Sequence, residues 1–424
     1  MWRGFFVLVG ALLPSIACAG NGLNLIGFGA ESVLMGGADT ALARDTTALN
    51  TNPAGLARLP GSSLDLFGGL AYGSDVRHLD GLGNDRNVSN RFIPIGGFGY
   101  ARRIGDTGLT AGVGFFAQGG AGSVFENLTT AFGTRDELSG LFAIARVSPG
   151  LAWRASDRLS LGIAIPVTFA DARQKVFPNT SFFNAITPAA SFFGYELKGA
   201  RTIQPGLKLG AQYRLSDTLM LGATYTQKTR LPLEGGRLVS NMNAIGLGLV
   251  TYRSARIDGL ALPREVSFGA AWEPRPGVLL SVKAAWLNWA DSLGTSTLSA
   301  ANPDNALAPQ TLSAPAANNW SNQRVFAIGA AIDLSPGVTL MAGYNYGRSP
   351  VPLNNLNPLL AAIGERHFTA GLAHKLAPGW TIGYGIEYQQ SANPKYTNAA
   401  LPFGANAQER SNFPALHFMS SHRW

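Results

Sequence analysis

From residue 62 to the C-terminus the chain repeats one unit: an alternating strand, a tight turn, a second alternating strand and a long polar loop. Residues 159–169 show the strand. Leu-Ser-Leu-Gly-Ile-Ala-Ile-Pro-Val-Thr-Phe is apolar at every odd position, with small residues, hydroxyls or Pro between. Successive side chains of a strand point to opposite faces, so such a segment is strongly apolar on one face only. The pattern returns in 219–225, 266–272, 278–286, 326–332 and 368–372. Tight turns fall at Asp106, Asp157, Asp217, Pro276, Pro336 and Pro378, residue types that fix φ or cap a bend. Between them lie loops at 75–91, 120–140, 173–195, 234–251, 292–320, 350–363 and 392–410. Short and long connections alternate strictly, which gives fourteen strands. An even number of antiparallel strands, short-turned at one end and long-looped at the other, predicts a transmembrane β-barrel.

Composition agrees. The chain is 46% hydrophobic and only 14% charged, against about a quarter charged in soluble proteins. Its apolar residues are scattered, and no run approaches the roughly 20 residues of a bilayer helix. The strands' second face carries Lys208, Glu265 and Lys283 in mid-strand, which suits a wet lumen rather than the dry core of a soluble sandwich. Leu416, Phe418 and the terminal Trp424 share one face of the last strand, although Ser420 and His422 interrupt it.

Residues 1–19 read as a secretory signal peptide: Arg3, the apolar stretch 5–13, Pro14, then Ala17-Cys18-Ala19. The competing reading is a lipoprotein acylated at Cys18, but the residues before it lack the expected Leu. Cleavage after Ala19 removes the single Cys, and with it disulfides, thiol catalysis and Cys-based metal sites. The formal charge of +8 comes without a basic cluster or basic-aromatic stripe, so nucleic acid is not an expected partner. Residues 20–61 are Gly-rich and do not alternate. A barrel of this size otherwise leaves an open channel, so this segment is expected to fold inside it as a hatch. An unfolded leader is the alternative.

Within 20–61 stand Gly27-x-Gly29-x-x-Ser32-x-x-Met35-Gly36-Gly37-Ala38, then Ala43-Arg44-Asp45 and Asn52-Pro53-Ala54-Gly55. With Leu262-Pro263-Arg264-Glu265-Val266-Ser267-Phe268-Gly269 in the barrel, these resemble the FadL-type outer-membrane proteins, over essentially the whole mature chain. That family takes up long-chain fatty acids or toluene-like hydrocarbons. The resemblance implies an all-β fold: a fourteen-stranded antiparallel barrel (62–424) plugged by an N-terminal hatch (20–61). It implies a hatch that shifts on ligand binding, with Asn52, Pro53, Ala54 and Gly55 in the gating motif. It also implies a kinked third strand, here 109–122 with Gly119 and Gly120, through which substrate leaves sideways into the bilayer. The expected function is passive uptake of hydrophobic molecules, long-chain fatty acids first and hydrocarbons as the alternative. The expected location is the bacterial outer membrane, among outer-membrane lipid and lipopolysaccharide, as a monomer without cofactors.

Two outer loops are unusually apolar: 173–195 with Phe177, Phe182, Phe183, Phe192 and Phe193, and 120–140 with Phe125, Leu128 and Phe132. The last three fall at i, i+3 and i+7, the face of a short helix. Exposed apolar patches mark binding grooves; the bland reading is a lid packed on itself. A fatty acid carboxylate entering a greasy lumen needs a cation, and alternation turns Arg146, Lys208 and Lys283 inward. The alternative for these is internal pairing, such as Lys283 with Glu265. No Gly-Lys phosphate loop, no Gly-x-Ser-x-Gly elbow and no His-Glu-x-x-His run occurs, so neither an enzyme nor a metal site is expected. An outer-membrane esterase would have to use His367 as its base, and an adhesion barrel would bind surfaces rather than small molecules.

Overall fold

The computed structural model describes residues 20–402 and 405–424; the expected signal peptide and Cys18 lie outside them. Among the described residues fourteen strands close into one antiparallel barrel. They are β1 (Ser62–Tyr72), β2 (Phe92–Ile104), β3 (Leu109–Thr129), β4 (Arg135–Arg154), β5 (Leu159–Ala164 and Val167–Phe182), β6 (Phe192–Pro205 and Lys208–Arg214) and β7 (Leu219–Thr226, Thr229–Arg230 and Leu233–Asn241). Then follow β8 (Leu249–Asp258, Ala261–Leu262 and Glu265–Arg275), β9 (Val278–Leu287 and Thr295–Pro303), β10 (Thr311–Ala317 and Gln323–Ser335), β11 (Val338–Gly347), β12 (Gly364–Ala377), β13 (Trp380–Ser391) and β14 (Ala407–Arg423). Closure is direct, β1 pairing with β14 from Ser63↔Arg423 to Ala71↔Ala415. All six predicted tight turns are present between strands.

The loops correct the sequence reading. Much of 120–140 and 173–195 is strand: β3 and β4 pair out to Thr129↔Arg135, and β5 and β6 out to Phe182↔Phe192. The cause is environmental. Beyond the bilayer neither face meets lipid, so pairing continues while period-2 apolarity stops. Phe125, Leu128 and Phe132 are on no helix. A register shift between Phe125 and Leu128, with Asn127 at φ 56°, inserts one extra residue. That bulge puts Phe125 and Leu128 on the same face of a strand, both fully buried.

The barrel's outer wall fits a bilayer. Trp153, Trp272, Trp380 and Trp424 are exposed near the short-turn end, and Phe326, Phe368 and Tyr388 toward the long-loop end. Aliphatic side chains such as Leu161, Ile163, Val282 and Ile328 fill the band between. Two aromatic girdles bounding an apolar belt match lipid with headgroups on either side. Leu416 and Phe418 on β14 and Trp424 just past its end all face outward, as their spacing predicts.

Inside, residues 20–61 fill the lumen. Helix α1 (Gly29–Leu34) leads to 3₁₀ turns at Thr46–Leu49 and Pro53–Arg58. Leu34 and Met35 pack on Met341 and Met419, while Leu49 and Leu56 pack with Phe28 on Phe116. The hatch backbone comes so close to the wall that some inner-face positions hold only Gly. A Cβ on Gly210 would lie 2.0 Å from Asn52 Oδ1, and one on Gly222 2.2 Å from the Thr40 carbonyl.

Candidate functional site: a hatch, a cationic cavity and a gap in the wall

Asn52 seats the hatch. Its Oδ1 accepts from Ala54 N at 3.2 Å, capping the 3₁₀ turn that Pro53 opens. Its Nδ2 donates to the Thr40 carbonyl (2.7 Å) within the hatch and to the Ala211 carbonyl (3.1 Å) in β6. Pro53, Ala54 and Gly55 are buried with it. One amide thus joins two hatch segments and the barrel wall.

Parity correctly turns the three cations inward, and the barrel brings them together. Arg146 from β4, Lys208 from β6 and Lys283 from β9 line one cavity of about 50 Å³ against the hatch. Lys283 Nζ donates to Asp39 Oδ1 at 3.1 Å, and Ser32 Oγ donates to Asp39 Oδ2 at 2.7 Å. The pairing of Lys283 is therefore with a hatch carboxylate and not with Glu265. Arg146 Nε donates to Thr168 Oγ1 (3.2 Å) and Lys208 Nζ to Thr226 Oγ1 (2.9 Å). Among the described residues neither has a carboxylate within ion-pair distance. Asp39 and Glu265 are the acids lining the cavity. Two acids against three bases leave one positive charge, on a wall shared by Arg146 and Lys208. A buried cation without a partner is costly, so this cavity favours an anionic guest.

Sequence reasoning missed Asp39 and the amides that close the cavity. Gln118 Oε1 accepts from Asn50 Nδ2 at 2.8 Å, tying the third strand to the hatch. Asp39 follows Met35-Gly36-Gly37-Ala38 in a turn, where no period marks its direction.

At Gly119 and Gly120 the third strand leaves its neighbour. The β2–β3 ladder stops at Gly97↔Phe116, although β2 continues outward to Phe92 paired only with β1. On the other side Gln118 shifts the register with β4 by one residue. Gly119 and Gly120 take φ 142° and 135°, backbone that side chains rarely adopt. Their freed amides turn into the lumen: Gly120 N donates to Leu23 O (2.9 Å) and Leu25 N to Gln118 O (3.5 Å). The strand is thus drawn inward onto residues 23–25 of the hatch, and a gap opens between β2 and β3. A cavity of about 50 Å³ lies there, lined by Ile93, Gly120, Ala121, Leu359 and Phe413 among others. Another of about 30 Å³ lies against β1 and β2. Residues 25–28 line both this one and the cationic cavity, forming the partition between them.

The loop aromatics divide into two groups. Phe125, Leu128 and Phe177 pack with Val88, Leu138 and Leu359 in one buried cluster. Phe132 stacks on Phe182 (5.3 Å) and Phe192 (4.8 Å) in a partly exposed layer. Phe183 is half exposed, and Phe193 packs against the main lumen cluster around Trp289 and Tyr252. The first group is a closed, buried cluster, and the second is partly exposed apolar surface.

His367 lies in the lumen, but its Nδ1 bonds Glu387 Oε1 (2.6 Å), whose Oε2 bonds His417 Nε2 (2.8 Å). Its hydrogen bond goes to a carboxylate rather than to a serine. At the outer end, beyond the bilayer, His78 contacts Glu409 Oε1 (2.5 Å) and Asp80 Oδ2 (3.2 Å), clasping the first outer loop to β14. Burial pulls the His78 pKa down, but Glu409 and Asp80 outweigh it and raise it to about 9.

None of the curated proteins matches in sequence. Among solved structures, the fold is similar to the Pseudomonas putida toluene transporter TodX (TM-score 0.78, 18% identity, 95% of this chain and 99% of that one). It is also similar to the Ralstonia pickettii toluene transporter TbuX (TM-score 0.71, 18% identity, 95% and 99%). A Pseudomonas aeruginosa FadL homologue gives TM-score 0.74 at 14% identity, over 95% and 99%. Residues 23–416 match the family described as outer membrane protein transport protein (OMPP1/FadL/TodX). With its hatch, inward-drawn third strand and closed barrel, the chain belongs to that family.

Proposed function

We propose that this protein is a passive outer-membrane channel for hydrophobic molecules, and that its first substrates are long-chain fatty acids. A ligand is captured on the exposed aromatic layer of Phe132, Phe182, Phe183 and Phe192, above the lid of Phe125, Leu128 and Phe177. It then passes inward to the cavity of Arg146, Lys208 and Lys283. A carboxylate held between Arg146 and Lys208 completes the charge balance of that cavity. Movement of the partition at 25–28, released through the Asn52-Pro53-Ala54-Gly55 anchor, joins the cavities. The ligand leaves between β2 and β3 at Gly119 and Gly120. The observation that carries this reading is the β2–β3 ladder ending at Gly97↔Phe116 while β3 bonds the hatch. Transfer into lipid contributes about 0.8 kcal/mol per CH₂, so no nucleotide is required. The chain acts as a monomer, since one copy closes the barrel, and has no enzymatic activity.

The test is binding of a long-chain fatty acid and the alkane of equal length to the purified protein. Preference for the acid, lost in Arg146→Gln/Lys208→Gln, supports a fatty acid channel. Equal binding of both, unchanged by the substitutions, assigns the protein to hydrocarbon uptake, as in the toluene transporters TodX and TbuX.

A further inference from the structure

On the outer wall, three arginines stand at the outer end of β10, β11 and β12. Val325↔Gly347 is the outermost pair of the β10–β11 ladder. Arg324 and Arg348, one residue beyond on each strand, therefore face each other. Arg366 pairs with Tyr346 on the next strand and lies over its ring at 5.9 Å. Like charges directly opposed on a sheet are destabilising, yet among the described residues none of the three is in an ion pair. Arg324 and Arg348 line an open groove of about 820 Å³ that includes Trp286, Phe326 and Leu353. One carboxylate borders it, Glu365, whose Oε1 accepts from Ser349 N at 3.0 Å.

The level of this groove is set by the strands. Arg324 and Arg366 stand two residues beyond Phe326 and Phe368 of the outer girdle, on the same face, or about 7 Å farther along the strand. The girdle marks the edge of the acyl layer, so the guanidinium groups lie among headgroups. Phe326 and Trp286 at the foot of the groove offer apolar surface to an acyl chain, while the arginines above offer planar, bidentate donors suited to phosphate. Charge, shape and depth converge on one amphiphile.

We propose that Arg324, Arg348 and Arg366 form a binding site for the phosphorylated acyl-saccharide of the outer leaflet, the lipid A portion of lipopolysaccharide. The site rests on the outer-membrane placement argued above and takes no part in uptake. It holds the wall at β10–β12, on the side of the barrel that carries no gap.

The experiment is native mass spectrometry of the purified full chain, titrated in detergent with bisphosphorylated lipid A, its dephosphorylated form and phosphatidylglycerol. Retention of bisphosphorylated lipid A at least roughly tenfold tighter than either competitor, lost in Arg324→Gln/Arg348→Gln, is the expected result. Equal retention of dephosphorylated lipid A by the unaltered protein overturns the proposal without any variant. Equal retention of phosphatidylglycerol reduces the site to a general anion patch and also overturns it. Fatty acid binding is measured on the same samples. It is expected to be unchanged in the double variant, so failure of the uptake reading and failure of the lipid site are separately visible.

Discussion

Replacing Asn52 with Ala isolates what holds the hatch in the barrel. The side chain is fully buried and makes three hydrogen bonds, to Ala54 N, Thr40 O and Ala211 O. Loss of the cap costs about 1 kcal/mol. Each of the two carbonyls loses a donor in a buried setting, at about 1 kcal/mol apiece. Of this sum, about 3 kcal/mol, only the bond to Ala211 O crosses to the barrel wall, so about 1 kcal/mol falls on hatch seating and the rest loosens the hatch itself. At 1.4 kcal/mol per factor of ten, the ratio of displaced to seated hatch rises roughly fivefold. Single-channel recording in planar bilayers reads this directly as a several-fold increase in opening events. Heat-modifiable electrophoretic mobility, which reports the barrel, is expected to stay as in the unaltered protein. Asn52→Asp sharpens the test: it keeps an acceptor for Ala54 N but sets an oxygen against two carbonyls, so it should open the channel at least as often. Wild-type conductance in Asn52→Ala, or hatch seating rescued by Asn52→Asp, would refute the assignment of this residue as the anchor.

Asp39→Asn removes the partner of Lys283 while leaving an acceptor for Ser32 Oγ. Breaking a buried pair from one side costs about 3–5 kcal/mol, so hatch loosening should exceed that of Lys283→Met/Asp39→Asn together; a double-mutant cycle on opening frequency with no coupling contradicts the pairing. His78 gives a pH dependence. Its folded pKa of about 9 lies above the ordinary 6.5, so its stabilisation of the outer clasp is complete below about pH 6.5 and is lost as pH rises through 9. Protease protection of residues 75–91 should accordingly fall between pH 7 and 10, and His78→Gln should flatten that profile; protection constant across the range would show that the clasp does not depend on the imidazolium.

The barrel was legible because lipid imposes a rule on every strand it touches. One face must be apolar, the other is free, and period-2 parity assigned Arg146, Lys208 and Lys283 to the lumen from sequence alone. Parity gives a direction but no partner. It could not show that Lys283 meets Asp39, because Asp39 lies in a hatch turn 244 positions away in the chain with no repeating neighbour to orient it. The same limit explains Phe125 and Leu128. Their three-residue spacing suits a helix, and it equally suits a strand carrying one bulged residue; only the pairing with β4 decides. Gly119 and Gly120 were visible as a place where a strand could bend, but a gap is a property of two strands. It required knowing that β2 runs on to Phe92 after β3 has turned to the hatch. What escaped the sequence is partners: the neighbouring strand for Phe125 and Leu128 and, above all, the contacts between hatch and wall at Lys283, Gly119 and Gly120. These contacts are where a channel of this design must work. The wall is fixed by lipid and its ladders, while the hatch is held by a few exchangeable groups: Asn52, Asp39 and the amides of Leu25 and Gly120. On the uptake proposed above, a guest that satisfied Arg146 and Lys208 would sit beside Asp39 in the same cavity and compete with it for positive charge, which would put ligand binding and hatch release on one electrostatic balance.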